Sequence, residues 1–255
     1  MKIATWNVNS LRARLPRFLP WLEENQPDVL CLQETKVIDD LFPRGEIESA
    51  GYNIETFGQK AYNGVAILAR QPIEDLVKGF PDDDEDAQKR VIGGTVGEFM
   101  ILNLYVPNGS ELGSDKFRYK MEWLDHLHEF LHQRYDNGEK VVVTGDFNIT
   151  FDDRDVHDPE AMRETIHCST PERDALARVM DIGLHDGLRK HHSEAGIYTW
   201  WDHRGGAFWK DKGLRIDHFL LSAPALEACT GISVDRDARK GKGASDHVPV
   251  IASFE

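Results

Sequence analysis

The stretch VVVTGDFNI, residues 141–149, sets the fold: a short β-branched run breaks at Gly145 and is followed at once by Asp146 and Asn148. Apolar runs of this length and type read as buried strands. Phe147 would point into the core and leave both polar side chains on one face. The same arrangement recurs outward from this stretch. Asn7 in ATWNVNS, Glu34 in LCLQETK, Asp217 in LRIDHFLLS, and Asp246 with His247 in ASDHVPV each sit just past a run rich in Val, Ile or Leu. If those strands share one core, their polar ends converge on one rim. That rim would hold several oxygen ligands and one imidazole, a set suited to a hard cation such as Mg²⁺.

A chain of 255 residues is within reach of one large α/β or two-sheet domain, so 1–255 reads as a single unit. Apolar content of 40% and charged content of 29% are ordinary for a globular protein. No apolar run approaches the roughly 20 residues that span a bilayer. MKIATWNVNS enters a strand pattern directly, without the segments of a signal peptide. The three cysteines, Cys31, Cys168 and Cys229, are widely spaced and make neither a disulfide framework nor a zinc pattern. A reducing, cytoplasmic compartment and a monomer are expected.

The net charge of −14 argues against a nucleic-acid partner, but association responds to local field. Acid is concentrated in PDDDED, Pro81 to Asp86, which reads as a solvated loop. Base is concentrated beside the motifs: Arg12, Arg14 and Arg17 follow Asn7, and Arg236, Arg239, Lys240 and Lys242 precede Ser245. Two such clusters, each adjoining a candidate ligand, favour a phosphate-bearing substrate over plain solvated loops.

Periodicity places strands over residues 3–8, DVLCLQ, YNGVAILA, RVIGGTV and EFMILNLYV, the last two joined at a tight Val96-Gly97 turn. LPRFLPWLEENQ reads as a helix ending before Pro27. Residues 115–136 carry Phe117, Met121, Leu124, Leu127, Phe130 and Leu131 as a helical apolar stripe. The second half repeats the logic with KVVVTGDF, a helix opened by the capping box Ser169-Thr170-Pro171-Glu172, and strands in IYTWW, LRIDHFLLS and HVPVIASF. Neither half looks self-sufficient, which implies two packed sheets with helices outside.

Taken singly, each candidate has an ordinary explanation. Glu34 could be a surface acid, Asp246 a cap, and His247 a core imidazole satisfied by a neighbour. Functionally, Glu34 would be the main carboxylate on a divalent metal. Asp146 beside Asn148 could orient a water and hold its developing charge. Asp217 would fix the tautomer of His247 and raise its basicity. Tyr105 and Asn108 in LYVPNG could reach a phosphate, and Trp200, Trp201 or Phe208 could stack on a base or deoxyribose. The joint order of these residues carries more weight than any one of them.

WNVNSLRAR, LQETK, YVPNG, GDFNI, YTWWD, LRIDHFLLS and SDHVPV together resemble the exonuclease III type of apurinic/apyrimidinic endonuclease, in the endonuclease–exonuclease–phosphatase superfamily. The resemblance runs in order from residue 2 to about residue 254. It implies a DNase I-like, four-layer α/β-sandwich of two packed mixed sheets flanked by helices, with the site at one rim. It implies a Mg²⁺-dependent nuclease, with Mn²⁺ substituting, acting on duplex DNA with abasic sites, nicks or blocked 3′ ends. Glu34 would be the principal metal ligand, supported by Asn7 and Asp246, with Asp146, Asn148 and His247 at the same centre. Asp146 would deprotonate the attacking water and Asn148 would stabilise the transition state. Tyr105 and Asn108 would contact the phosphate, and His247, paired with Asp217, would donate to a phosphoryl oxygen; an alternative makes His247 the base. Arg12, His167, Trp200 and Leu214 would line the substrate. Asn9 stands where some members have Asp, with little consequence expected. Leu214 stands where some carry a Trp under the abasic sugar, and the loop HCSTPER with His167 would narrow access. Such narrowing would disfavour internal abasic sites and spare 3′-end trimming.

Two other readings compete. A phosphoesterase for phosphoinositides or another small phosphate ester is disfavoured by YVPNG, by LRIDHFLLS and by the lack of a membrane-binding amphipathic stretch. A catalytically dead DNA-binding scaffold is disfavoured because every expected acid and the histidine are present.

Overall fold

The computed structural model describes residues 1–134 and 138–255. In chain order its strands are β1 (Lys2–Asn7), β2 (Val29–Gln33), β3 (Asn53–Phe57), β4 (Val65–Ala69), β5 (Glu74–Lys78) and β6 (Val91–Val96). They continue with β7 (Phe99–Tyr105), β8 (Lys140–Asp146), β9 (His185–Asp186), β10 (Asp217–Leu221), β11 (Cys229–Val234) and β12 (Val250–Phe254). The helices are α1 (Leu11–Asn25), α2 (Arg44–Ser49), α3 (Asp115–Arg134), α4 (Pro159–Met162), α5 (Thr170–Met180), α6 (Gly187–His191) and α7 (Ala223–Ala228).

Two six-stranded mixed sheets result, ordered β11-β12-β1-β2-β4-β3 and β5-β6-β7-β8-β10-β9. Each is built around one parallel pair, β1 with β2 and β7 with β8. Parallel neighbours need a crossover, and α1 and α3 supply the two. Side chains alternate across β8: Val142 joins Ile3, Cys31, Ile67, Phe99 and Ile101 between the sheets, while Val141 and Val143 face Leu124, Leu127 and Leu131 of α3. Leu30 and Leu32 of β2 face Phe18, Trp21 and Leu22 of α1. The layers are therefore helix, sheet, sheet, helix, as the resemblance implies.

Polar stitching joins the two sheets just below the rim. Gln33 Nε2 donates to Asn103 Oδ1 at 2.7 Å, and Asn103 Nδ2 donates across the interface to the carbonyls of Leu32 and Ala66 at 2.9 Å. Both amides are fully buried, so a register slip would strand them without partners. Phe147, also fully buried, anchors the chain beyond β8; truncating a phenylalanine of this kind costs about 3–5 kcal/mol.

Several expectations need correction. IYTWW is not a strand. Trp200 exchanges both backbone bonds with Leu214 at 3.0 Å, while Trp201 N–H turns to Asp246 O at 3.0 Å, so the segment changes partner from one residue to the next. Asp217 opens β10 rather than following its run, and Asp246 and His247, expected past an apolar run and at the start of the strand HVPVIASF, precede β12, which opens only at Val250. Antiparallel pairing explains this: the start of β10 lies opposite the end of β8, with Asp217 against Asp146. Helix α1 begins earlier, at Leu11, and passes through Pro16 and Pro20, both exposed, so the bonds they forfeit face solvent. The β6–β7 turn is Gly97-Glu98, one residue later than expected, with Gly97 at φ 60°. Helix α3 is described to Arg134, and residues 135–136 of the expected helix lie outside the described residues. β3, β5, β9 and β11 had no counterpart in the sequence reading. No described helix is long and apolar enough to cross a membrane.

His218 on β10 gives this core a pH dependence. It is 1% exposed, packs its ring against Phe147 and Phe151, and donates from Nε2 to Ile149 O at 2.7 Å. Burial, helped by the Arg215 guanidinium, pushes it down from 6.5 to about 4. An unfolded imidazole takes its proton first, so stability holds above pH 6.5 and declines as pH falls toward 4, by about 3 kcal/mol for this group. Denaturant unfolding between pH 7 and 4 should show a loss smaller by about that amount in His218→Gln; equal losses would refute it.

Candidate active site

The rim where both parallel pairs end collects the residues marked in the sequence. Asn7 ends β1, Glu34 follows β2, Tyr105 ends β7 and Asp146 ends β8, in register with Tyr105 and Asp217. The carboxyl ends of parallel strands are where α/β sheets offer ligand sites, because the chain is released there into loops. His247 arrives from the loop before β12, held by Ser245, whose hydroxyl accepts the His247 N–H at 3.3 Å and donates to Asn7 O at 2.7 Å.

At the centre stands a buried line of Asp217, His247 and Asp146. His247 Nδ1 donates to the Asp217 carboxylate at 2.9 and 3.2 Å, and its Nε2 lies 3.7 Å from Asp146 Oδ2. Burial alone would lower the imidazole, but the charges of Asp217 and Asp146 raise it from 6.5 to about 10. At neutral pH it is therefore an imidazolium. Asp146 moves up to about 7, because burial and the nearby Asp217 charge outweigh His247 and the hydrogen bond from Asn7. It accepts from Asn7 Nδ2 at 2.9 Å, from Asn148 N–H at 2.9 Å and from Asn148 Nδ2 at 3.2 Å.

Glu34 and Asp246 flank this line and are more open, with side chains 17% and 18% exposed. Glu34 accepts from Asn7 Nδ2 and Tyr105 Oη at 2.9 Å each, and pairs with Lys36 at 2.7 Å. Burial pushes Glu34 up, yet Lys36, the Asn7 bond and His247 leave it below the ordinary carboxylate value. Asp246, burial notwithstanding, is pulled to about 2 by His247, by Asn9 Nδ2 at 2.8 Å and by Trp200 Nε1 at 3.1 Å. Lys36 Nζ also donates to Asn9 Oδ1 at 2.6 Å.

This donor set fits a hard cation. Among the described residues, Asp146, Asp217 and His247 bring three possible ligand atoms within 4.8 Å of one another. This trio is the poorer candidate: both Asp217 oxygens engage Nδ1, and an imidazolium has no lone pair to offer. Glu34 and Asp246 are ionised, reachable oxygens, and an ammonium already meets Glu34. Asn7 at present turns its NH₂ toward the carboxylates and accepts the Asn9 N–H on Oδ1 at 3.0 Å, so it would ligate only after its amide turns over.

The remaining candidates form the wall. Asn108 Nδ2 donates to Asn148 Oδ1 at 3.1 Å and faces His167 Nε2 at 3.5 Å. His167 is 6% exposed and donates from Nδ1 to Asn148 O at 2.6 Å; burial first, then Lys120, holds it down at about 4, hence neutral. Trp200 lies between the two imidazoles, 6.2 Å from His167 and 6.5 Å from His247. Leu214 is 1% exposed beneath Trp200, and can shape the wall only through it. Tyr105 stays a neutral phenol, its pKa raised well above 10 by burial and by the Glu34 and Asp146 charges. Arg12 is exposed on the first turn of α1, whereas Arg17 donates to the carbonyls of Ala238 and Lys240, drawing the two basic segments together. Lys36, Ser245 and Asn9 had been given no role. Lys36 could have been noticed as a base two residues after Glu34, and Ser245 as a hydroxyl beside Asp246.

The sequence profile described as the Endonuclease/Exonuclease/phosphatase family matches residues 4–247. The exodeoxyribonuclease III of Haemophilus influenzae is 36% identical over the whole of both chains. Among solved structures, a 3′ phosphatase from Neisseria bound to a product DNA hairpin is 44% identical, with a TM-score of 0.97 over 100% of this chain and 99% of that one. An AP endonuclease from Archaeoglobus fulgidus is 37% identical, with a TM-score of 0.96 over the same shares.

The Asp217–His247 pair can be read directly. Its folded value lies above the unfolded 6.5, so its stabilisation is whole below pH 6.5 and is lost as pH rises toward 10. An NMR titration should find the His247 imidazole near 10, and Asp217→Asn should lower it by more than about one unit. A value near 6.5 in the unsubstituted protein would overturn the imidazolium.

Proposed function

From the premise that the chain belongs to the endonuclease/exonuclease/phosphatase family, in its exonuclease III branch, we propose a Mg²⁺-dependent DNA-repair nuclease in which residues 1–255 work as one unit. The observation that carries this reading is the buried line in which Asp217 pins His247 as an imidazolium beside an Asp146 raised to about 7. A carboxylate with that value is matched to taking a proton from water near neutral pH. His247, raised by the Asp217 and Asp146 charges, is assigned as a donor to a phosphoryl oxygen rather than as the base.

Phosphodiester hydrolysis needs an oriented nucleophile, compensated oxygens and a stabilised leaving alkoxide. Asp146 orients and deprotonates the water. The Asn148 amide, at 3.2 Å from Asp146, is assigned to stabilise the charge that develops during attack. Asn108, and the Tyr105 phenol once its proton leaves Glu34, would supply donors to the phosphate. Glu34, Asp246 and Asn7 would hold the cation, which supplies positive charge against the phosphoryl and leaving oxygens. Mn²⁺ is expected to substitute. Duplex DNA suits the joined basic segments around Arg17, Arg236 and Arg239, despite the net charge of −14. The cytoplasm suits three cysteines that are all free and buried.

We infer that 3′ ends are better substrates than internal abasic sites. Trp200, the buried His167 and the sealed Leu214 leave little floor for a flipped-out sugar, whereas a terminal phosphate needs none. The related Neisseria structure is named a 3′ phosphatase, which supports this preference.

Two labelled duplexes test the proposal, one with a nick ending in 3′-phosphate and one with an internal abasic analogue. With Mg²⁺ the first should be processed rapidly, the second at least about tenfold more slowly, a difference of ~1.4 kcal/mol. A chelator should stop both reactions. Glu34→Gln should raise the Mg²⁺ requirement, and Asp146→Asn should cost about a hundredfold or more in kcat. The kcat/KM profile should rise as Asp146 deprotonates and fall as His247 loses its proton toward pH 10. His167→Ala should narrow the gap between substrates. Release of phosphate from inositol phosphates but not from DNA would sink the reading.

A further inference from the structure

Lys120 lies on the apolar stripe of α3, at the position between Phe117 and Leu124, and is fully buried. A lysine there is costly unless its charge and three donors are all met. They are. Nζ donates to Asn148 O at 2.8 Å, to Asn108 O at 3.2 Å, and to the equally buried Glu172. Glu172 in turn accepts the His167 N–H at 3.1 Å, and the N–H and hydroxyl of Ser169 at 3.2 and 2.6 Å. Two of the residues this pair reaches have left-handed backbone, Asn148 at φ 53° and His167 at φ 72°, a region uncommon for non-glycine residues though Asn and His enter it more readily than most. Gly109, at φ 87°, packs so closely that a Cβ would meet Lys120 Cδ and Ile166 Cδ1 at 3.0 Å.

We propose that Lys120, clamped to Glu172, is a positioning residue that fixes the backbone beneath Asn108 and Asn148 and ties the His167 loop to both; this rests on the nuclease reading of the site. The ammonium touches no reacting atom. It acts through the two amides, whose side chains are bonded to each other at 3.1 Å and which the nuclease reading sets against the phosphate. A compact ammonium suits three acceptors from three segments, whereas a planar guanidinium does not.

The test is Lys120→Met combined with Glu172→Gln, which removes both charges and keeps the volumes. The protein should fold, since replacing a buried pair by neutral groups of similar shape is often tolerated. On the 3′-phosphate duplex kcat should fall about tenfold while KM changes less than about threefold, the loss sitting in the transition state. Made in an Asn108→Ala/Asn148→Ala background, the same two changes should lower kcat less than about twofold, because the amides they act through are gone. An equal loss in both backgrounds, or an unaltered kcat, overturns the proposal. If the pair variant does not fold, Lys120→Arg goes through the same cycle, with a loss of about fivefold expected only where both amides are present. The side-chain amide resonances of Asn108 and Asn148 provide a readout independent of turnover. They should move toward averaged positions in either variant, and unchanged resonances overturn the clamp. An unsubstituted protein that resolves those resonances but fails on DNA sinks the nuclease reading alone.

Discussion

Crowding of like charge at one rim is the constraint on which this structure turns. Glu34, Asp146, Asp217 and Asp246 all project there, two of them almost wholly buried. Their repulsion is answered from within by the His247 imidazolium between Asp217 and Asp146, and at the edge by Lys36 against Glu34. The compensation is unequal, and that inequality separates the acids chemically. Asp246 and Glu34 are held ionised, while Asp146, raised by burial and by the Asp217 and Glu34 charges, sits at about 7. One rim therefore contains both fixed anions and a titratable acid, the division of labour a hydrolytic site requires.

Such an arrangement tolerates little movement, and the layers below remove it. The two parallel pairs put Asn7, Glu34, Tyr105 and Asp146 at the same height, and the Gln33–Asn103 stitch prevents either sheet from sliding past the other. Phe147 closes the core directly under Asp146 and Asn148. On the far wall the Lys120–Glu172 pair serves the same end with charge in place of hydrocarbon. The site is thus framed by apolar packing on one flank and by buried ionic bonding on the other.

The chemistry was legible along the chain, because a strand that ends in a carboxylate announces both its burial and its rim. VVVTGDFN and LCLQE could be read that way, and the core strands they mark lie where expected, whereas in LRIDHFLL the carboxylate opens the strand. The strands without a sequence signal, β3, β5, β9 and β11, are the four sheet edges. Edge strands face solvent on one side and carry charge, so EDLVK lacks the apolar run that identifies a buried strand. IYTWW misled for the opposite reason: its aromatics suit a strand, but Trp200 serves as a bridge between Leu214 and His247.

By itself the sequence determined which residue types stand at strand termini, and hence a two-sheet architecture with an oxygen-rich, single-imidazole rim, since alternation and burial are local properties of the chain. Tertiary structure alone decided how those residues divide the work. Asp217 faces His247 across 30 positions, Asp146 faces Asn7 across 139, and Lys120 meets Glu172 across 52. Proton affinity depends on the distance to such partners and on depth from water, and neither is encoded in spacing. A lysine inside the apolar stripe of α3 was visible from the start; only the folded chain supplies the carboxylate and the two carbonyls that explain it.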